Sequence, residues 1–479
     1  MTSEPTATPA RGTAGGPAAR PAVSRRALAV GVCTTVLAMA FEVIAVATAM
    51  PVAARDLGSL PYYAWLFSAF MIGMLFSTVL AGRLSDRSGP ARPALAGLAL
   101  FATGLVCAGS APAMGWLVAA RLLQGLGSGL FNTAVLVLIA SVFPSRQRPQ
   151  MFTYISTAWI VPAFLGPPVS AFLTATLGWR SVFWVALPLT VVGAAMILPT
   201  LLPLLRAGAA DAAGAGDPAP ARPAALWAAG VLAAAAAALQ LAGQRLDLVA
   251  AGLAVAGVAG LAVALPRLMP AGFTRAGRGL PAVVLVRGLL PGAFFGAEAF
   301  VPLMLVEQRG FPLFWAGAVL TSGAVGWFTG SWLQSRPWLR VRRDRLITCG
   351  CASVTLGVAV AAVTAVRPGA WSGLVAVGWV LAGFGMGLAT ASTNLTVMTL
   401  SAVPEQGRNA ASLNVSDALG SALFVGATGT VFAALAPGGD LPLTFGTLLG
   451  AMVVVAALAV AASLRVGVVA SEFAARPAP

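Results

Sequence analysis

The sequence predicts an all-α integral membrane protein of fourteen transmembrane helices, arranged as two six-helix halves with two further helices inserted between them. Three observations carry this. The 479 residues are 59% hydrophobic and only 9% charged, with a mean hydropathy of +0.90, whereas about a quarter of the residues in a soluble domain are charged. The apolar residues come in runs of about 20, the length of a helix that crosses a bilayer, and not in the roughly 10-residue alternations of a transmembrane barrel. All 29 basic residues are arginine, and they sort strongly to one side of the runs.

The chain opens with residues 1–26, rich in Ala, Pro, Thr and Arg and expected to be a disordered cytoplasmic tail. Apolar runs follow at 27–51, 62–81, 93–110, 114–143, 149–177 and 180–203, an N-terminal half spanning 27–203. The first run exceeds the short core of a signal peptide and is expected to stay as a helix. Residues 204–222, rich in Ala, Gly and Pro, read as a cytoplasmic linker. Two Ala-rich runs, 223–243 and 247–266, form the inserted pair, whose loop reaches 278. Six more runs, near 279–304, 312–334, 345–366, 371–400, 407–435 and 441–464, make a C-terminal half over 279–466, and 467–479 is a second cytoplasmic tail.

With the N-terminus inside, 22 arginines fall in inside segments, 5 in outside segments, and Arg121 and Arg287 lie within spans. Removing one span would spoil this bias, so both termini are expected on the cytoplasmic side of a bacterial-type cytoplasmic membrane. A net charge of +15 would suggest nucleic acid for a soluble chain, but here it reports orientation, and no nucleic-acid partner is expected. The cysteines Cys33, Cys107, Cys349 and Cys351 sit in or beside apolar runs and read as small packing residues.

The halves repeat. Gly125, Gly127 and Gly129 in the fourth span match Gly383, Gly385 and Gly387 in the twelfth. Each run is followed by a short loop with arginine four residues after proline, Pro144 to Arg148 and Pro404 to Arg408. This is a parallel repeat about an axis normal to the membrane, which places a substrate site between the halves near the bilayer midplane.

Charged residues inside spans mark functional sites or internal ion pairs. They are Glu42, Arg121, Arg287, Glu298 and Asp417. Arg287 and Glu298 are 11 residues apart, about three helical turns, and share a face. The guanidinium of Arg121 cannot shed its charge and needs an anionic or carbonyl partner, or a route to the interface. With no histidine in the chain, proton cycling near neutral pH would fall to carboxylates. Phe41, Trp65, Gln124, Asn132, Tyr154, Trp159, Asn394 and Asn414 are aromatic and amide groups that would line a cavity for bulky amphipathic compounds, or else pack against neighbours and lipid. Without lysine there is no Walker-type phosphate loop. No metal site or catalytic triad is expected, and the chain does not read as an enzyme.

The stretch from Gly82 to Arg92 holds Arg83, Asp86, Arg87, Gly89 and Arg92 between the second and third runs and reads as a tight charged loop, with Gly82 and Gly89 easing the turn. It resembles the signature loop between helices 2 and 3 of the major facilitator superfamily. That resemblance implies the major facilitator fold, with Gly82, Asp86, Arg87, Gly89 and Arg92 at a cytoplasmic gate between the halves. The run from Ala40 to Pro51 is similar to the first-helix motif of the drug:proton antiporters, with Glu42 where the family has aspartate. The segment from Arg121 to Gly125 resembles the fourth-helix motif, whose arginine is linked to proton transfer. Gly166 and Pro167 keep part of the helix 5 antiporter motif, which implies a kink. Trp179, Arg180, Phe183 and Pro188 also resemble this branch.

The resemblance, strongest over 27–200, implies a proton-coupled secondary transporter of the fourteen-helix drug:proton antiporter branch. It would export amphipathic drugs or antibiotics by alternating access, as a monomer, with Glu42, Arg121, Glu298 and Asp417 in proton coupling. No cofactor is expected beyond the proton gradient. Export of an endogenous lipid, siderophore or secondary metabolite on the same fold is the alternative, and a non-transporting membrane scaffold or sensor is the alternative of another class.

Overall fold

The computed structural model describes residues 25–144, 146–214, 224–244, 247–367, 369–402 and 405–469. The expected tails, 1–26 and 467–479, lie mostly outside these residues. Among the described residues the chain is helical throughout, and no strand occurs. The N-terminal half comprises α1 (Arg25–Asp56), α2 (Trp65–Ser88), α3 (Ala91–Gly109), α4 (Met114–Val142), α5 (Arg148–Leu177) and α6 (Ser181–Gly214). The inserted pair is α7 (Ala224–Ala242) and α8 (Leu248–Leu268). The C-terminal half comprises α9 (Leu280–Glu298), α10 (Val301–Glu307), α11 (Leu313–Gln334), α12 (Arg343–Val366), α13 (Leu374–Leu400), α14 (Gln406–Leu435) and α15 (Leu441–Ser463).

These helices make the fourteen crossings the hydropathy predicts. Twelve segments are long and apolar enough to span on length and composition alone. The other two are α7, whose described apolar stretch is short, and α11, which carries Ser, Thr, Trp and Gly along its length. One crossing differs from the expected single run: 279–304 is broken into α9 and α10. At the break Phe300 N–H turns back three residues to the Ala297 carbonyl, and Pro302 has no N–H to continue the ladder.

Two further expectations are corrected. The charged stretch 82–92 is not a loop from its first residue. Helix α2 runs on through Asp86 and Arg87 to Ser88, and Gly82 is helical with open space about it. Gly89 alone makes the turn, at φ 74°, a conformation that side-chain-bearing residues avoid. The linker expected at 204–222 is helical in its first part, because α6 continues to Gly214 through an Ala-rich stretch with high helix propensity.

The repeat glycines explain how each half is built. A Cβ on Gly125 would stand 2.0 Å from the Phe70 carbonyl oxygen, and one on Gly129 would stand 2.1 Å from Ser77 Oγ, so both fix α4 against α2. Gly127, on the other side of α4, meets Phe101 N at 2.4 Å on α3. In the second half Gly383 and Gly387 meet the carbonyls of Gly323 and Trp327 on α11, at 1.9 and 2.2 Å, and Gly385 meets that of Gly350 on α12 at 2.3 Å. Bare backbone thus lets two neighbours approach each central helix, as membrane helices require where packing replaces a hydrophobic driving force. Around these triplets, α1 packs on α5 and α6 as α9 packs on α14 and α15.

The halves meet along two seams, α2 with α14 and α5 with α11. Helix α7 lies over the first seam and touches both α2 and α14, while α8 packs mainly on α7.

Candidate functional site

Three sets of charged and aromatic side chains lie inside the helical bundle, and the helices that meet at the glycine triplets position two of them. In the N-terminal half, Arg121 on α4 is 2% exposed and Glu42 on α1 is fully buried. They form an ion pair, with Arg121 Nη1 donating to Glu42 Oε1. The rest of the guanidinium is also engaged. Nε donates to the Leu66 carbonyl at 2.7 Å, Nη1 to Gln124 Oε1 at 2.7 Å, and the group lies over the Phe70 ring at 4.7 Å. Arg121 therefore does not reach for the interface. The second oxygen of Glu42, Oε2, has no hydrogen-bond partner. A charged pair taken out of water persists only when geometry and added hydrogen bonds repay desolvation, and the carbonyl, amide and ring around Arg121 do so.

In the C-terminal half, Arg287 on α9 pairs with Asp417 on α14 and not with the carboxylate on its own helix face. Nε and Nη2 both reach Asp417 Oδ2 at 2.9 Å, and Nη1 donates to the Thr390 carbonyl on α13 at 3.1 Å. Each half therefore pairs the arginine inside its spans with a carboxylate of its own. Glu298, at the last residue of α9, is left over. It is half-buried, its Oε2 is buried, and it has no hydrogen-bond partner among the described residues.

Beside Glu298, an aromatic group escapes sequence reasoning. Phe294 stacks on Trp379 at 5.4 Å, and Phe294 and Phe295 contact Trp327 at 5.8 and 6.4 Å. Phe295 and Glu298, three residues apart, are neighbours on α9. Adjacent aromatics at positions 294 and 295, one turn before a lone carboxylate, are the signal that could have found the group.

Among the carboxylates whose side chains are described, Glu298 and Asp86 are the two without an ion-pair or capping partner. Asp86 is exposed, as are Arg87 and Arg92. Of these two acids, Glu298 lies at the end of α9 beside the aromatic group and Asp86 at the arginine-rich face.

The halves are tied together at the opposite face. Arg55 at the end of α1 pairs with Glu307 at the end of α10. Tyr63, fully buried, donates its hydroxyl to the Ala299 carbonyl at 2.7 Å and packs on Phe300 at 5.2 Å. The carbonyl it uses is one the α9–α10 break leaves available. Gly317 of α11 sits against Thr48 and Pro167, and Gly429 of α14 against Ala64. The Asp56 carboxylate takes Trp179 Nε1 and Arg180 Nη1, each at 3.0 Å, which fixes the α5–α6 corner to α1.

The cavity candidates divide. Tyr154, Trp159, Asn394 and Asn414 are exposed, Asn132 is half-buried and donates to Ser128, and Phe41, Trp65 and Gln124 are buried in the N-terminal half. Gln124 belongs to the Arg121 cluster. Gly166 and Pro167 lie inside α5, which stays one helix with three prolines in it, and Ser170 donates to the Ala45 carbonyl of α1 at 2.6 Å.

Two repeated helical halves, closed on one another at one face and holding ion pairs within the bundle, define a multi-pass membrane protein. The sequence profile of the Major Facilitator Superfamily matches residues 30–425, and the chain belongs to that family. Among its relatives, Multidrug resistance protein 3 of Bacillus subtilis is 30% identical over 166 residues, 35% of this chain and 32% of that protein. The Acurin A biosynthesis cluster MFS-type transporter of Aspergillus aculeatus is 32% identical over 162 residues, 34% of this chain and 29% of the other. The matched stretch thus spans about a third of the length of these relatives. A crystal structure of a POT family transporter in complex with thioalcohol conjugated peptide superposes with a TM-score of 0.66, covering 91% of this chain and 96% of that one at 15% identity, which shows the shared fold.

Proposed function

We propose that this protein is a proton-coupled exporter of amphipathic compounds, working by alternating access across a cytoplasmic membrane whose cytoplasmic side is the arginine-rich face. The observation that carries the reading is the buried Glu42–Arg121 pair. In the first six spans Glu42 is the acid placed away from both faces, and its partner cannot give up a proton. A proton arriving from the outer side would neutralise Glu42 and release Arg121 toward its carbonyl and amide partners. The proton would leave to the cytoplasm once the halves have rocked, and the pair would re-form. Asp417, already held by Arg287, and Glu298, without a partner among the described residues, are the second-half groups that would share this task.

Glu298 beside Phe295 and Trp327 offers a carboxylate next to aromatic faces, a wall that suits a cationic amphiphile. Asp86, exposed at the arginine-rich face, would engage across the halves when that face closes. The multidrug name of the Bacillus relative supports drug export. The biosynthesis-cluster name of the Aspergillus relative supports export of a self-made metabolite, and the same coupling scheme serves either cargo.

The test is cargo accumulation in proteoliposomes with an imposed pH difference. Glu42→Gln keeps the shape of the protonated side chain, so uphill transport is expected to be abolished while downhill exchange persists. Uphill transport at the wild-type rate in Glu42→Gln would transfer coupling to Glu298 or Asp417. A wild-type chain that moves no compound in either direction would point to a scaffold or sensor.

A further inference from the structure

We propose that the arginine-rich face carries a binding site for an anionic phospholipid, in the cavity between the α8–α9 loop and the end of α15. The cavity measures about 540 Å³ and is lined by Arg275, Arg278 and Arg465, with no carboxylate among the described residues of its wall. That volume falls in the range of small-molecule sites. Arg275 and Arg278 are exposed, and their side chains make no hydrogen bond or ion pair among the described residues. Arg465 shapes the cavity: its Nη1 donates to the Ala276 carbonyl at 3.2 Å, and its own carbonyl takes Gly279 N at 3.0 Å. A neighbouring depression shares Leu464 and Gly467 and adds Arg345, which also has no side-chain partner among the described residues. Asp344 also lines that depression, where it is held by Arg342, and Arg408 is paired with Glu405.

The apolar surroundings decide between a free anion and a lipid. Val454 and Leu458, one turn apart on α15, are 60% and 53% exposed, and Arg465 follows two residues after the helix ends. Leu464, in the cavity wall, is 71% exposed. Helix α8 is also largely uncovered, with Val255 and Val258 at 71% and 59%. A ligand here meets three guanidinium groups at one end and bare apolar helix at the other. That is the pattern of a phosphodiester headgroup with acyl chains, and basic pockets at the cytoplasmic ends of spans take such headgroups. The site is separate from the Glu42–Arg121 cluster, so it stands or falls independently of the transport reading.

The full chain, purified in detergent, is tested by native mass spectrometry with phosphatidylglycerol and phosphatidylcholine at equal mole fraction. The wild type is expected to retain phosphatidylglycerol preferentially. The Arg275→Gln/Arg278→Gln variant, which removes no hydrogen bond or ion pair among the described residues, is expected to lose that preference by about tenfold or more. Arg146→Gln/Arg340→Gln, exposed arginines outside the cavity, is the charge-matched control and is expected to keep it. Equal retention of both lipids by the wild type, or an equal loss in the control, would overturn the proposal. Displacement of the lipid by millimolar inorganic phosphate would also overturn it, because the cavity would then be a free-phosphate site.

Discussion

At the scale of single residues, the two members of the Glu42–Arg121 pair differ in how they tolerate the loss of the other. A buried carboxylate left alone can take up a proton and become neutral, whereas a guanidinium cannot lose one. Glu42→Leu strands Arg121, 2% exposed, with only the Leu66 carbonyl, Gln124 and the Phe70 ring to hold its charge. It is expected to destabilise by about 3–5 kcal/mol. Arg121→Leu is expected to cost less, about 1–3 kcal/mol, the range for a buried polar group that loses a hydrogen bond. Thermal unfolding of both variants in detergent checks the order; equal costs would mean that the guanidinium finds another anion. The sequence made part of this legible. It named the five charged groups inside spans, and three acids against two arginines already require one acid to stay unpaired. It did not say which, because helix faces report direction but not the distance between α9 and α14. Arg287 and Glu298 are about three turns apart on α9, too far to pair, and Arg287 takes the carboxylate of Asp417 from another helix.

At the scale of elements, the glycine triplets of α4 and α13 were visible as a repeat. What each triplet touches needed the three-dimensional arrangement, since spacing alone cannot distinguish a neighbouring helix from lipid. The consequence is a contrast between two glycines in similar apolar helices. Gly125→Ala would place a methyl group 2.0 Å from the Phe70 carbonyl oxygen and force α2 and α4 apart. Overpacking of this kind costs about 1–3 kcal/mol or more. Gly252→Ala on α8 meets nothing within 4 Å and should be neutral or stabilising by up to about 1 kcal/mol, the helix-propensity gain of alanine. Melting temperatures of the two variants decide it; similar shifts would mean that α2 and α4 are less tightly apposed than the structure has them. The α9–α10 break lies at the limit of legibility. The run 279–304 reads as one span in the sequence, and Tyr63, which takes up the Ala299 carbonyl, comes from the other half of the molecule.

At the scale of the whole molecule, the closed face is held by a contact of modest strength, which the proposed alternating access would need in order to reopen it. Arg55 is 48% and Glu307 22% exposed at the side chain, and ion pairs in such positions contribute about 0–1 kcal/mol. That is negligible for folding, yet about 1 kcal/mol is a several-fold factor in the balance between two conformations. The buried Tyr63–Ala299 hydrogen bond beneath it adds a second contribution of similar size. Arg55→Glu sets two carboxylates against each other, and the closed arrangement of the opposite face should become several-fold less populated without unfolding the protein. The charge exchange Arg55→Glu/Glu307→Arg should restore it, which a general loss of stability would not do. The readout is the labelling rate of Thr48→Cys, under Gly317 in the closed seam, by a membrane-impermeant maleimide added from that face, in a background with the four native cysteines replaced. A rise of several-fold in Arg55→Glu, reversed in the exchanged pair, is the expected outcome. Unchanged labelling in Arg55→Glu would reduce the pair to a surface contact and leave Tyr63 as the side chain that holds the halves together there.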